Sequence, residues 1–143
     1  SRGVVEISSS NPKTPPKITY NFLTAAKDRE ILVAGVRKVR EIMKQDAINR
    51  YIVREIRPGS ESNEEKDILE FLESSGRTSY HPVGTCRMGP DDEAVVDPRL
   101  RVKGVDSLRV VDASIMPTVV SGNTNAPVIM IAEKASDMIL ADV

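Results

Sequence analysis

Apolar and polar positions alternate at the start of the chain and then change period. GVVEIS (3–8) reads as a short strand, SSNPKTPP (9–16) as a proline-rich connection, and KITYNFL (17–23) alternates like a second strand, so a hairpin-like pair is predicted. From about Ala25, with Thr24 as cap, Ile31, Leu32, Val36, Val39 and Met43 recur at helical spacing and should form the inward face of an amphipathic helix. IRPGS (56–60) marks a turn. Ser62 and Glu65 have capping-box spacing at the head of a short second helix with Ile68, Leu69 and Leu72 inward and Gly76 at its end. Beyond Gly76 charges thin out. VVDPRLRV (95–102) and LRVVDAS (108–114) read as strands, and 126–141 as a helix capped by Thr124 or Asn125, with Pro127 near its start. The first two turns of that helix are apolar almost all round, which predicts a buried helix start. The class is α+β: an antiparallel sheet with packed helices.

Composition narrows the function classes. At 143 residues, 40% hydrophobic and 29% charged, the chain has the balance of a globular domain, and aromatics at 3% leave Val, Ile, Leu, Met and Ala to build the core. The net charge of −1 and the scattered basic residues give no electrostatic footprint for nucleic acid, and no stretch reads as a transmembrane segment. A single Cys and a single His exclude an internal disulfide and a four-ligand zinc site within one chain, so no metal is expected and a reducing compartment is. A cytoplasmic location is expected, with peripheral attachment to the inner membrane as the alternative. The start, SRGVVEISSS, has neither an apolar leader nor an initiator Met, and an excised piece of a longer protein is expected.

The candidate chemistry is concentrated after Gly76. His81 lies in HPVGTCRMG (81–89). A lone histidine is more often a surface or core residue than a catalyst, but Pro82 biases it toward an extended backbone, and Gly84 and Gly89 permit tight turns around it. SGNTNAP (121–127) stands where a helix start leaves orphan N–H groups and the positive end of the macrodipole; Asn123, Thr124 and Asn125 could simply cap the helix or also serve a site. Asp112 ends an apolar run as a turn residue that can accept hydrogen bonds. Cys86 reads as a small packing residue. No G-x-G-x-x-G or P-loop spacing occurs among the glycines, so any nucleotide site would be incomplete.

SRGVVEISSSNP, ITYNFL, YHPVGTCRMG, VVDPRLRVKGVDSLRVVDASIMPTVVSGN and NAPVIMIAEKASDMI, in this order, resemble the C-terminal part of the glucose–methanol–choline (GMC) oxidoreductases, closest in motif to the choline and alcohol dehydrogenases. Asn11, where the family often has Asp, and Phe22, where Tyr is common, depart from the pattern. The resemblance implies that residues 1–94 belong to a substrate domain and that 95–143 return to an FAD-binding domain whose glycine-rich part lies elsewhere in the polypeptide. It also implies that FAD is the cofactor of the full-length protein rather than of this chain alone. His81 matches the family's catalytic histidine, the base that takes the hydroxyl proton of a primary alcohol as hydride moves to flavin N5. Asn123 matches its His or Asn partner and would hold the alcohol oxygen. Asp112 and Ala113 match the turn at the ribityl and pyrophosphate region. Thr124, Asn125, Ala126 and Pro127 match the segment beside the pyrimidine edge, where a helix N-terminus favours the reduced, negatively charged flavin by about 0.5–2 kcal/mol.

The expectation is thus a part of an FAD-dependent alcohol oxidoreductase, inactive alone, whose partners are a small alcohol and the rest of its own polypeptide. Segments 95–102, 108–114 and the final helix should then expose apolar surface or unpaired edges and tend toward mobility, swapping or dimerisation. The alternative is a stand-alone binding or assembly module on the same scaffold.

Overall fold

The computed structural model describes residues 1–142. The fold is α+β, with one two-stranded antiparallel sheet and four α-helices among the described residues. The chain divides into two compact units, Ser1–Arg77 and Thr78 onward. The expected passage at 94/95 concerns which larger domain each part joins, and stands as an expectation.

In the first unit the predicted pair forms from β1 (Val4–Glu6) and β2 (Lys17–Thr19), antiparallel, with Val4 opposite Thr19 and Val5 opposite Ile18. An Asx turn at Asn11, whose side chain accepts from Lys13 N–H at 3.0 Å, helps reverse the proline-rich connection. Helix α1 (Ala26–Met43) follows, but Thr24 does not cap it. Asn21 and Leu23 enter the left-handed region (φ 53° and 60°), and the Thr24 hydroxyl donates back to Asn21 C=O at 2.9 Å, leaving Ala25 as N-cap without a side-chain bond. A short helix, α2 (Asp46–Asn49), was not foreseen. Helix α3 (Glu65–Ser75) starts from Glu64, which shares a reciprocal capping box with Asp67, so the box lies two residues beyond the predicted Ser62. The Ser62 hydroxyl donates instead to Pro58 C=O at 3.5 Å. Ile68 is buried and Gly76 ends the helix as predicted, its N–H donating to Leu72 C=O at 2.8 Å.

Helix α1 packs on α3 and buries Val33 rather than the predicted stripe. Leu32, Val36, Val39 and Met43 line an open apolar groove of about 800 Å³ together with Phe71 and Leu72. Helical periodicity identifies an apolar face; it does not supply the cover. The groove is bordered by Arg40, whose guanidinium donates to the Glu55 carboxylate (2.8–3.1 Å), Gly59 C=O (2.9 Å) and Ser62 C=O (3.0 Å). That hydrogen-bonded arginine holds the Glu55 carboxyl below its ordinary range despite partial burial.

In the second unit the two predicted strands are absent. Only isolated bridges join Met88 to Val96, Val96 to Val102 and Arg101 to Arg109. The physical reason is local: Leu100 and Gly104 turn left-handed (φ 64° and 78°), and Ala113–Ile115 forms a 3₁₀ turn, so neither segment stays extended long enough for a ladder. Their side chains still pack. Val96, Leu100, Ile115 and Met116 form one core with Ile131 and Ala135 of α4 (Asn125–Leu140). Val96 is fully buried, worth about 1.5–3 kcal/mol by transfer. The predicted burial of the start of α4 is not observed: Ile129 and Met130 are 55% and 58% exposed, and Asn125 and Ala126 are exposed as well. The expectation of exposed apolar surface on this helix is met. Past its end, Asp142 accepts from Arg99 (2.7 Å), Arg101 and Arg109, tying the helix to the bridge segment. No helix among the described residues is long and apolar enough to cross a membrane.

Candidate active site

His81 stands between Tyr80, at φ 62°, and Pro82, so the backbone on both sides of it is restricted. Gly84, at φ 89°, makes the turn that follows, and a Cβ there would approach Met116 C=O to 3.3 Å. The loop is then stitched to the 3₁₀ turn: Cys86 N–H donates to Ser114 C=O (3.0 Å) and Met88 N–H to Ile115 C=O (2.8 Å). Arg87 forks onto Asp91 with bonds of 2.9 and 2.7 Å and thereby holds the Asp91 carboxyl far below the usual range. The sequence reading did not single out this clasp, although an Arg and an Asp four residues apart around a glycine and a proline are its signature.

The other half of the site precedes α4. The Asn123 amide Nδ2 lies 3.0 Å from His81 Nε2, and the Thr124 hydroxyl lies 2.9 Å from His81 Nδ1. The histidine and asparagine expected to act together, 42 positions apart, are thus in hydrogen-bond contact. His81 is half-buried and Asn123 exposed, so this edge of the ring faces a reachable surface while Nδ1 faces inward. The Thr124 contact was not anticipated. Only half of its signal lay in the sequence: Pro127, the third residue of the following helix, lacks one of the two N–H groups that a capping hydroxyl could take.

Asp112 sits apart from this trio in hydrogen bonding. It caps the 3₁₀ turn, its Oδ1 accepting from Ser114 N–H at 2.7 Å and from the Ser114 hydroxyl, and its side chain is exposed. Ala113 is half-buried in the same turn and packs against the core. Asn125 and Ala126 open α4, and among the described residues no acceptor reaches their backbone N–H groups, whereas Val128 N–H donates to Thr124 C=O at 3.0 Å. Pro127, half-buried, offers no donor. Among the described residues no group of three or more His, Cys, Asp or Glu is placed to hold a metal ion.

Residues 1–132 match the family model described as GMC oxidoreductase. The chain belongs to the GMC oxidoreductase family. It matches the C-terminal part of that family, whose members are FAD-dependent. An oxygen-dependent choline dehydrogenase of Burkholderia cenocepacia is 47% identical over 139 residues, covering 97% of this chain and 25% of the relative. An alcohol dehydrogenase (acceptor) of Pseudomonas putida is 46% identical over 143 residues, 100% of this chain and 26% of its own length. Among solved structures, a formate oxidase of Aspergillus oryzae studied for its FAD modification superposes with a TM-score of 0.90 at 30% identity, covering 99% of this chain and 25% of that one. The chain therefore spans about a quarter of the length of these relatives.

Proposed function

We propose that this GMC chain is the portion of an FAD-dependent alcohol oxidoreductase that supplies the base, His81, and its amide partner, Asn123, for oxidising a primary alcohol to an aldehyde. The observation that carries this reading is the 3.0 Å contact between Asn123 Nδ2 and His81 Nε2. Two nitrogens at that separation can be bridged by one oxygen within ordinary hydrogen-bond distance of both. An alcohol hydroxyl so placed donates its proton to Nε2 while its oxygen accepts from the Asn123 amide. As the proton leaves, the oxygen gains charge, and the amide dipole stabilises it without competing for the proton.

The residues fit FAD in the chemistry of their donors. The exposed N–H groups of Asn125 and Ala126 at the positive end of a 16-residue helix suit an acceptor-rich, anionic group, and exposed Asp112 suits hydroxyls. Asp112, Ala113, Asn125, Ala126 and Pro127 would lie against the cofactor, with Thr124 beside them through its backbone. Bound FAD supplies the acceptor for the hydride that leaves the alcohol carbon. A choline-like or simple aliphatic alcohol is the substrate class, supported by the names of the choline dehydrogenase and alcohol dehydrogenase relatives.

The test is His81→Ala in the complete, flavin-loaded polypeptide. With retained FAD absorbance, kcat should fall by about 10²–10⁴. A variant that kept near-normal kcat would overturn the base assignment. The isolated chain, offering only part of a cofactor site, should purify without flavin colour.

A further inference from the structure

We propose that Thr124 is a positioning residue that sets the tautomer of His81 and so decides which ring nitrogen acts as base; this rests on the reading of His81 as that base. A carboxamide nitrogen only donates, so Nε2, 3.0 Å from Asn123 Nδ2, must carry the lone pair. The proton of the neutral ring is therefore on Nδ1, and the Thr124 hydroxyl oxygen, 2.9 Å away, accepts it. Only this tautomer satisfies both neighbours.

Two independent features commit Thr124 to that task. It is 8% exposed, the one buried polar residue among those described, so its hydroxyl requires an internal partner. As the N-cap of α4 it would ordinarily accept from the N–H of the second or third helical residue. Thr124 makes no side-chain cap bond: its backbone is already helical (φ −80°, ψ −7°) where a capping residue is extended, and the third helical residue, Pro127, has no N–H. The hydroxyl is released to the ring, while Thr124 C=O, accepting from Val128 N–H at 3.0 Å, keeps the residue fixed to the first turn of the helix. The helix thereby orients the imidazole.

The contact strengthens when it matters. Once Nε2 takes the alcohol proton the ring is a cation, and the Nδ1–H bond to Thr124 becomes charge-assisted. An interaction stronger in the transition state than in the ground state acts on kcat more than on KM. Without the hydroxyl, Nδ1–H loses its Thr124 acceptor, and the opposite tautomer, with its proton on Nε2 against the alcohol, gains population.

The experiment compares Thr124→Val, close in shape but without the hydroxyl, Thr124→Ser and His81→Gln in the complete flavin-loaded enzyme, using a primary alcohol in H2O and D2O. Thr124→Val should lower kcat by about 10- to 100-fold, the scale of one unsatisfied buried donor, with KM changed less than about twofold. It should also raise the solvent isotope effect on kcat/KM at unchanged FAD content. Thr124→Ser should restore kcat to within about threefold, since the acceptor returns. The proposal is overturned if Thr124→Val keeps kcat and the isotope effect of the parent, or if Thr124→Ser is as slow as Thr124→Val. Should Thr124→Val fail to fold with flavin, Thr124→Ala takes its place with the same readouts. His81→Gln separates the two claims: an inactive His81→Gln beside a normal Thr124→Val removes only the tautomer role, whereas an active His81→Gln removes the base reading itself.

Discussion

Ser1–Arg77 contains both strands and three of the four α-helices of the described residues, yet only two of its hydrophobic side chains, Val33 and Ile68, are buried. The unit from Thr78 has a single α-helix, a 3₁₀ turn and isolated bridges, yet it buries seven: Ala94, Val96, Leu100, Ile115, Met116, Ile131 and Ala135. Regular hydrogen bonding and close packing are thus divided between the two regions, and His81, Asn123 and Thr124 lie in the packed one. A catalytic constellation needs side chains held to within a fraction of an ångström, which dense packing under a loop achieves as well as a strand does. In the first unit the packing of α1 on α3 is supplemented by part-buried directional bonds, with Arg40 alone reaching Glu55, Gly59 and Ser62.

The contrast can be broken most sharply through the shared core. Ile131→Ala in the complete polypeptide should cost about 2–5 kcal/mol in denaturant unfolding and also lower kcat, because the same helix carries Thr124 and Asn123 at its start. A loss of stability with full activity would show that the site does not depend on this packing. Next in size is Arg40→Met, expected to cost about 1–3 kcal/mol by orphaning two carbonyls and a carboxylate, with kcat at saturating alcohol unchanged. If activity fell in step with stability, the division of labour between the regions would be wrong. Gly84→Ala should be milder, about 1–2 kcal/mol from the left-handed backbone, and its kcat should drop relative to KM because the loop of His81 must shift from Met116 C=O.

The smallest effect belongs to Asp142. Its carboxyl is lowered to about 2, first by the hydrogen bond from Arg101 and then by the nearby charges of Arg101 and Arg99. A depressed carboxylate stabilises the fold above its unfolded value, near 3.9, and that contribution is lost as the pH falls through about 2. Asp142→Asn should therefore melt slightly below the parent at pH 7, with most of that gap closed at pH 2. Equal melting temperatures at both pH values would show the three arginines to be incidental.

Much of this was legible along the chain. The final helix, predicted over 126–141, is observed over Asn125–Leu140, and the hairpin and the two earlier helices occur where alternation and helical spacing put them. Caps were less legible, because Thr24 and Ser62 are good capping residues whose hydroxyls donate instead to carbonyls outside the helices, those of Asn21 and Pro58. The predicted strands at 95–102 and 108–114 failed for a similar reason: β-rich composition states a preference, but left-handed turns at Leu100 and Gly104 and a 3₁₀ turn at Ala113 interrupt the extension that a ladder requires.

Residue type and local spacing determined which segments could be helical, which side chains could exchange protons, and, through family resemblance, which histidine and asparagine belonged together. Their contact, the turn of the Thr124 hydroxyl toward Nδ1, the clasp of Arg40 on the 55–62 loop and the gathering of three arginines on Asp142 were decided only in the folded chain. A hydrogen bond between residues tens of positions apart depends on where the backbone has already been carried by packing, and nothing within a few residues of either partner encodes that distance.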